Sequence, residues 1–443
     1  MLKRRIPLFV CLLIVLAWTS MASAQSVRPG RPYRGLFRGS GSEALAEKQL
    51  LLNVLVGGGY DDNLIASAGG GAGNVTSSEV MGMFGRLAVD LGYTHTTDDV
   101  NFGVSVASDS RYFPELESQY YGSYSGSIGV SLPVSRRARF SANQSVGYQP
   151  FLTLDLFPSL GAEVVGDAQP ARLEQGAGFE DFVNYRTSLG YEHRVSQRGQ
   201  FELSYSHEFN NFANDVSDLR IQSAGARYTH TVARGLGVRM GYDYSVGKYF
   251  YTTEPTTVGG HLIDVGVDYA RALSLSRRTT LSFSTGSAAL KDSNATYFQF
   301  IGNVELNREI GRTWNASLAY ARNASYVRSF SEPFFSDSLS AEISGLVTRR
   351  FELVMNGAAS LGSVGFGSTA NNDYESYSAT AVLTYGLTQN LALAAGYDYY
   401  KYNFGAGVVL PVGLASDFER QTAQLGLRMW FPLYRSRSLN ASR

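Results

Sequence analysis

The 443-residue chain contains a single cysteine, Cys11, inside an N-terminal segment with the marks of an export signal. Lys3, Arg4 and Arg5 form its positive start. Ile6 to Trp18 is an apolar run too short for a comfortable membrane span, and Ala22-Ser23-Ala24 is a small-residue cleavage site. Residues 1–24 are therefore expected to be removed, leaving Gln25 as the first mature residue. Val10 stands before Cys11, where lipid attachment requires a small residue, so lipidation is rejected. The mature chain then has no thiol, which excludes disulfides and thiolate metal sites and makes the fold indifferent to redox compartment.

Other things are scarce. No apolar stretch after residue 24 is long enough for a spanning helix, and only 12 prolines occur. Removing the three signal bases leaves 35 Lys+Arg against 38 Asp+Glu, a net charge of −3 with nothing to suggest nucleic acid. The five histidines, His95, His193, His207, His230 and His261, stand singly, without metal-binding spacing. No serine is singled out by a nucleophile motif. Gly57-Gly58-Gly59 and Gly69-Gly70-Gly71 lack the strand–loop–helix setting of a phosphate cradle. Asp61-Asp62-Asn63 reads first as a turn, with Ca²⁺ ligation as the alternative. No catalytic, cofactor or metal site is expected, and the chain is not expected to be an enzyme.

Alternation is what the sequence does have. In Leu87–Tyr93, Leu87, Val89, Leu91 and Tyr93 share one face, and Ala88, Asp90 and Gly92 the other. Eighteen such segments follow one another, from 49–60 through 261–272 and 337–347 to 419–431. Short turns, such as 133–137, 232–235 and 348–350, alternate with longer connections, such as 61–80, 150–180, 250–260, 324–336 and 403–418. Tyrosine (28) suits interfacial girdles, and glycine (47) suits turns and close strand packing. This pattern behind an export signal predicts an all-β fold: a transmembrane antiparallel up-and-down β-barrel of about 18 strands in the outer membrane of a Gram-negative bacterium. A Greek-key sandwich would not explain the alternating loop lengths. The expected organisation is a signal peptide (1–24), a basic periplasmic linker (25–48) with Arg28, Arg31, Arg34 and Arg38, the barrel (49–431) and a periplasmic tail (432–443).

Period two also sorts the charges. A charge facing lipid at mid-membrane costs about 2–4 kcal/mol, so the lumen is their natural place. Arg86, Arg111, Arg139, Arg186, Arg227, Arg239 and Arg428 are predicted to point inward. So are Asp90, Asp109, Glu192, Glu202, Glu208, Asp243, Asp264, Asp268, Glu305, Glu342, Glu352 and Asp398. Acids outnumber bases there, a mild bias towards cations. Eighteen strands enclose an interior too wide for side chains alone to fill. The connection 150–180 begins with Phe151, Leu152, Leu154, Leu156, Phe157 and Leu160, an apolar set that belongs in a buried place rather than in a wet loop. It is a candidate plug or constriction, with a lid over the rim as the alternative.

Two further patterns bear on identity. Gln424, Gly426, Met429 and Phe431 follow the polar-x-Gly-x-x-apolar-x-aromatic order of a C-terminal β-signal, which implies outer-membrane lipid and the barrel assembly machinery as partners; twelve residues follow the aromatic. Gly59-Tyr60-Asp61-Asp62-Asn63, and Tyr148-Gln149-Pro150-Phe151 running into Leu156-Phe157-Pro158, resemble the β-barrel porin type 2 family. That resemblance implies an outer-membrane conduit for an exopolysaccharide, working with a periplasmic polysaccharide export protein. The basic lead-in and the turn arginines Arg136, Arg137, Arg277, Arg278, Arg349 and Arg350 could dock such a partner. A general small-solute diffusion porin and a closed barrel acting as an adhesin or outer-membrane enzyme are the alternatives.

Overall fold

The computed structural model describes residues 48–436, apart from 64–80, 98, 116–118, 151–153, 155, 158–180, 213–217, 251–255, 273–277, 292–295, 312, 328–329, 331, 366–370 and 411–413. The expected signal peptide, nearly all of the basic linker and residues 437–443 lie outside the described residues, as does Arg277. Eighteen strands are present: β1 (Lys48–Asp61), β2 (Gly82–Thr96), β3 (Asn101–Phe113), β4 (Gln119–Ser135), β5 (Ala138–Gln149), β6 (Phe182–Arg194), β7 (Gly199–Phe212), β8 (Asp218–Ala233), β9 (Leu236–Phe250), β10 (Thr256–Ala272), β11 (Thr279–Lys291), β12 (Thr296–Ile310), β13 (Trp314–Tyr326), β14 (Pro333–Thr348), β15 (Phe351–Val364), β16 (Asp373–Gly386), β17 (Leu391–Phe404) and β18 (Asp417–Arg435). Each pairs antiparallel with its sequence neighbours, and β1 also pairs with β18, so the sheet closes on itself. The chain is an outer-membrane β-barrel.

Connections at one end run two to six residues, and those at the other run four to 32. Both described ends of the chain lie on the short-turn side, the periplasmic side of such barrels. The strands exceed the expected spans mainly at the long-loop end. β10 starts at Thr256 rather than 261 and β14 at Pro333 rather than 337, so the connections 250–260 and 324–336 shrink to 251–255 and 327–332. Thr256 to Gly260 shows no apolar–polar alternation, yet its backbone continues the ladder with Tyr249 to Ser245. Outside the bilayer, pairing no longer requires one apolar face. β18 likewise runs on through Pro432 to Arg435. The register shifts there, with Leu50 opposite Tyr434 and Leu51 opposite Pro432, a bulge that accommodates a residue without an N–H.

Three periplasmic hairpins share one device. Register shifts at Pro133/Ser135, Thr231/Ala233 and Leu346/Thr348 precede the two-residue turns Arg136-Arg137, Arg234-Gly235 and Arg349-Arg350. Gly235 adopts φ +75°, which a Cβ would disfavour.

The β1–β18 seam carries its own set of contacts. Gly57 lies opposite Gly426, where a Cβ on Gly426 would sit 2.8 Å from the Val56 carbonyl oxygen and one on Gly57 would overlap that of Leu425. At the external end Arg420 and Asp61 form a buried ion pair, 2% and 0% exposed, with Nε–Oδ1 at 2.9 Å and Nη2–Oδ2 at 2.5 Å. Thr422 Oγ1 donates to the same carboxylate at 3.2 Å. Asp62 accepts the Gln421 N–H at 2.6 Å, and Asn63 donates to the Glu419 carbonyl at 2.7 Å. Asp61-Asp62-Asn63 is therefore a clasp on the last strand. With its carboxylate committed to Arg420 and Thr422, Asp61 is not a Ca²⁺ ligand.

Removing one member of a buried pair leaves the other uncompensated. Arg420→Met is expected to destabilise the barrel by about 3–5 kcal/mol, and adding Asp61→Leu to recover most of that. Urea unfolding in lipid vesicles, followed by the heat-modifiable gel band, measures both; equal losses for the single and double variants would refute the clasp.

Candidate functional site: the lumen and its external mouth

Cross-strand register fixes which side chains share a face. Asp90 pairs with Asn53, Arg86 with Arg111 and Asp109 with Ala88. Around the wall, Arg139 pairs with Glu192, Arg186 with Glu208, Glu202 with both Glu192 and Arg227, and Arg239 with Thr229. Asp243 faces Gly225, and Asp268 faces Gly237. Glu305 lies opposite Ser282, Glu342 opposite Ser317, Glu352 opposite Leu346, Asp398 opposite Thr380 and Arg428 opposite Ala392. Asp264 occupies the equivalent register position opposite Gly241; its side chain lies outside the described set. All these positions fall on one face. The other face exposes Leu87, Val106, Ile128, Leu203, Val265, Leu339 and Leu425 to the bilayer.

The charged face is the inner one, because its side chains converge across strands that do not pair. Arg86 on β2 reaches over β1 to Gln424 on β18 at 2.5 Å, while also holding Asp109 at 2.9 and 2.7 Å. Gln424 donates in turn to Asp398 on β17 at 3.4 Å. Asn53 donates to Asp90 at 3.2 Å. Further round, Arg239 pairs with Asp268, Arg186 lies 4.0 Å from Glu208, and Asn184 and Asn210 both donate to Glu208 at 3.3 and 3.0 Å. These bonds run along the wall. A luminal cavity of about 270 Å³ lies against β1–β5, and its inward lining includes Asn53, Asp90, Asp109, Ser123, Ser125 and Arg428.

The wall is chemically lopsided. From β17 through β1 to β10 it mixes bases and acids. From β11 to β16 its described inner face has Glu305, Glu342 and Glu352 but no base. Hydroxyls and amides dominate there: Ser284 and Asn303 are bonded to each other, Ser336 donates to Asn323 at 2.6 Å, and Asn356 donates to Thr380 at 3.3 Å. Ser338, Ser340, Ser360 and Ser376 are buried.

An apolar cluster fills the external mouth. Phe334, Tyr374, Tyr400, Tyr402, Phe404 and Phe418 come from the inner faces of β14, β16, β17 and β18; Val327 and Phe330 come from the β13–β14 connection. Phe182 and Phe212, from the external ends of β6 and β7, belong to the same cluster although those strands pair nowhere with β14–β18. Leu154 and Leu156, 0% and 5% exposed, lie in it, and Phe157 meets Tyr400 edge-on at 6.3 Å between ring centroids. Phe151, Leu152 and Leu160 lie outside the described residues.

Sequence reasoning missed the aromatic side of this mouth. Parity would have found it: if Asp398 points inward, so do Tyr400, Tyr402 and Phe404. The same extrapolation from Arg428 reaches Arg420, which also points inward. The β-signal residues sit in β18, Gln424 and Gly426 inward, Met429 and Phe431 outward opposite Val54 and Leu52. The histidines face outward among tyrosines; His193 stacks on Tyr191, His230 on Tyr228, and His261 accepts or donates a 2.7 Å bond with Tyr242.

No protein-family model matches the chain, and no curated protein matches it. Solved barrels align weakly. The FrpB iron transporter from Neisseria meningitidis (F5-1 variant) aligns at 10% identity over 88% of this chain and 83% of its own, with a TM-score of 0.46. OccK2 (OpdF) of Pseudomonas aeruginosa, solved with glucuronate, aligns at 10% identity over 88% and 99%, with a TM-score of 0.43. Acinetobacter baumannii OccAB4 aligns at 12% identity over 87% and 99%, with a TM-score of 0.41. The conclusions below rest on this barrel's own geometry.

Because the one cysteine, Cys11, lies in the expected signal peptide, a single introduced cysteine reports on the mouth. Leu156→Cys should react slowly with an impermeant maleimide added to whole cells. Adding Tyr400→Ala removes an aromatic contact worth about 0.5–1.5 kcal/mol and should speed labelling by roughly three- to tenfold. Equal rates would show that the segment is not held by Tyr400.

Proposed function

We propose that this barrel is an outer-membrane pore without catalytic activity, and that the 150–181 connection constricts its external mouth. The observation that carries the reading is the apolar mouth cluster, where Leu154, Leu156 and Phe157 sit among inward-facing aromatics above a polar wall. A structural barrel or adhesin has no need of a polar lumen beneath an apolar stopper.

The finer reading is an exit for a secreted exopolysaccharide, driven by a periplasmic export partner. It rests on the resemblance of the Gly59–Asn63 and Tyr148–Phe151 stretches and is supported by chemistry. The hydroxyl and amide wall of β11–β16 offers exchangeable hydrogen bonds to a polyhydroxylated chain, and the mouth tyrosines, buried while the connection is seated, would offer faces to sugar rings once it is displaced. General diffusion of small solutes is the competing reading, favoured by the 270 Å³ cavity, whose size suits a small molecule better than a polymer.

Single-channel conductance of the refolded protein, intact and lacking residues 152–176, separates these readings. Little conductance from the intact chain and a large step after the deletion are expected. Large conductance from both would leave the general diffusion porin, and none from either would refute the pore. In the open variant, Arg86→Gln removes a luminal base while Asp109 and Asp398 stay. The reversal potential in a KCl gradient should then move towards K⁺ selectivity; an unmoved potential would place Arg86 off the conduction path.

A further inference from the structure

The outer wall over β7–β9 departs from what a bilayer alone requires. Arg220 on β8 lies directly opposite Lys248 on β9, and both side chains are exposed on the lipid-facing side at the external end. Like charges in directly opposed positions repel. Among the described residues, other outward-facing cations near this end have a carboxylate: Lys401 has Glu419 at 3.3 Å, and Arg322 has Asp337 at 3.5 Å. Arg220 and Lys248 have none among the described residues. Arg220 is instead fixed over two rings, 5.2 Å from the centroid of Phe209 and 5.4 Å from that of Phe250. The outward carboxylate of Asp218, two positions along β8, accepts from the Asn211 amide and the Phe212 N–H, and the two positioned cations at the level of the aromatic girdle remain open to an external anion.

The surface beneath them is shaped as well. One outward position down β8 from Arg220, Gln222 pairs with His207 of β7, polar groups where the wall should be apolar. Next come Ala224 and Ala226, flanked by Tyr205 and Leu203 on β7 and by Tyr244 and Tyr242 on β9. Those two β9 rings lean the other way, onto His261 of β10: Tyr242 bonds to it at 2.7 Å, and Tyr244 lies 5.0 Å from it between centroids. The result is a furrow along β8, floored by alanine, walled by aromatic and leucine side chains, and headed by hydrogen-bonding groups and two positive charges.

We propose that this furrow binds a phosphorylated acyl lipid of the outer leaflet, a lipid A-type molecule. Its phosphate sits between Arg220 and Lys248, its amide or ester groups meet Gln222 and His207, and one acyl chain lies along Ala224 and Ala226. Paired cations match a phosphate by charge-assisted hydrogen bonds, and the low-dielectric surroundings strengthen the match. The site is independent of what passes through the lumen.

The test uses the refolded full-length mature protein in detergent, with native mass spectrometry reading retained lipid. Diphosphorylated lipid A should stay bound, and its fully dephosphorylated form should be lost. Arg220→Gln with Lys248→Gln should weaken retention roughly tenfold or more, whereas the swap Arg220→Lys with Lys248→Arg should keep it. Should the double charge variant fail to show the heat-modifiable band, Lys248→Gln alone should still weaken retention. Ala224→Phe with Ala226→Phe, which fills the furrow, should weaken it too. Equal retention by native and charge variants would overturn the proposal. So would retention of phosphatidylglycerol as firm as that of lipid A. Displacement of the lipid by inorganic pyrophosphate, with no effect of filling the furrow, would show a free-anion site instead.

Discussion

Within hydrocarbon every backbone N–H and C=O must find its partner inside the protein, so a sheet can cross a membrane only if it has no edge. In this chain that requirement falls on one join. The other strand pairs are hairpins or short-range neighbours, whereas β1 and β18 are brought together from opposite ends of the sequence; Asp61 and Arg420 are 359 residues apart. The chemistry is concentrated accordingly. Glycine faces glycine where the backbones approach, Asp62 and Asn63 bond to the last strand's backbone, and a buried bidentate pair sits at the external end. A buried pair adds little net stability over an apolar packing but strongly penalises misalignment, because a shifted register strands both charges. The clasp is therefore best understood as fixing register at the one place where no turn does so.

Closure also decides where everything else goes. Once the ring forms, parity alone assigns each residue to lipid or lumen, and charges collect inside. Most inner-wall ion pairs run between adjacent strands, which neutralises charge along the wall without spanning the interior. What spans it is apolar: the external mouth joins strands that pair nowhere, through aromatics from β14–β18, Phe182, Phe212 and three side chains of the β5–β6 connection. Polar groups line the path and apolar groups bridge its end.

The barrel itself was legible because three independent signals, period two, loop lengths and even strand number, agree. Parity also carried the gathering of these charges on one face of the sheet, since Asp90, Arg139 and Asp398 each lie one residue from an apolar neighbour that marks the opposite face. Legibility failed where the period stops meaning lipid against water. Above the bilayer, Thr256–Gly260 and Pro333–Ser336 pair as strand without alternation and so looked like loops. In Tyr397-Asp398-Tyr399-Tyr400-Lys401-Tyr402, aromatics occupy both faces, and a rule that sends aromatics outward hides the inner row. The seam was invisible for a different reason. Asp61-Asp62-Asn63 has the local composition of a turn or an ion site, and its partner lies at the far end of the chain, where no short-range pattern can point to it.

The balance of forces at the mouth bears on the pore reading. Among the described residues of the apolar cluster, Leu154, Leu156 and Phe157 belong to the β5–β6 connection; the rest lie on strands, in the β13–β14 connection, or, as Val408, Leu410 and Leu414 do, in the β17–β18 connection. Burial of each side chain contributes about 1.5–3 kcal/mol. Ordering each residue of the segment that carries them costs about 1–2 kcal/mol of backbone entropy. These terms nearly cancel over a few residues, so the segment is held by a margin of the size that one aromatic contact can tip. Tyr402 adds to the closed side's deficit, since its hydroxyl is buried with no hydrogen-bond partner among the described residues. Under the proposed pore reading, a closure held by so small a margin can be displaced without disturbing the wall behind it.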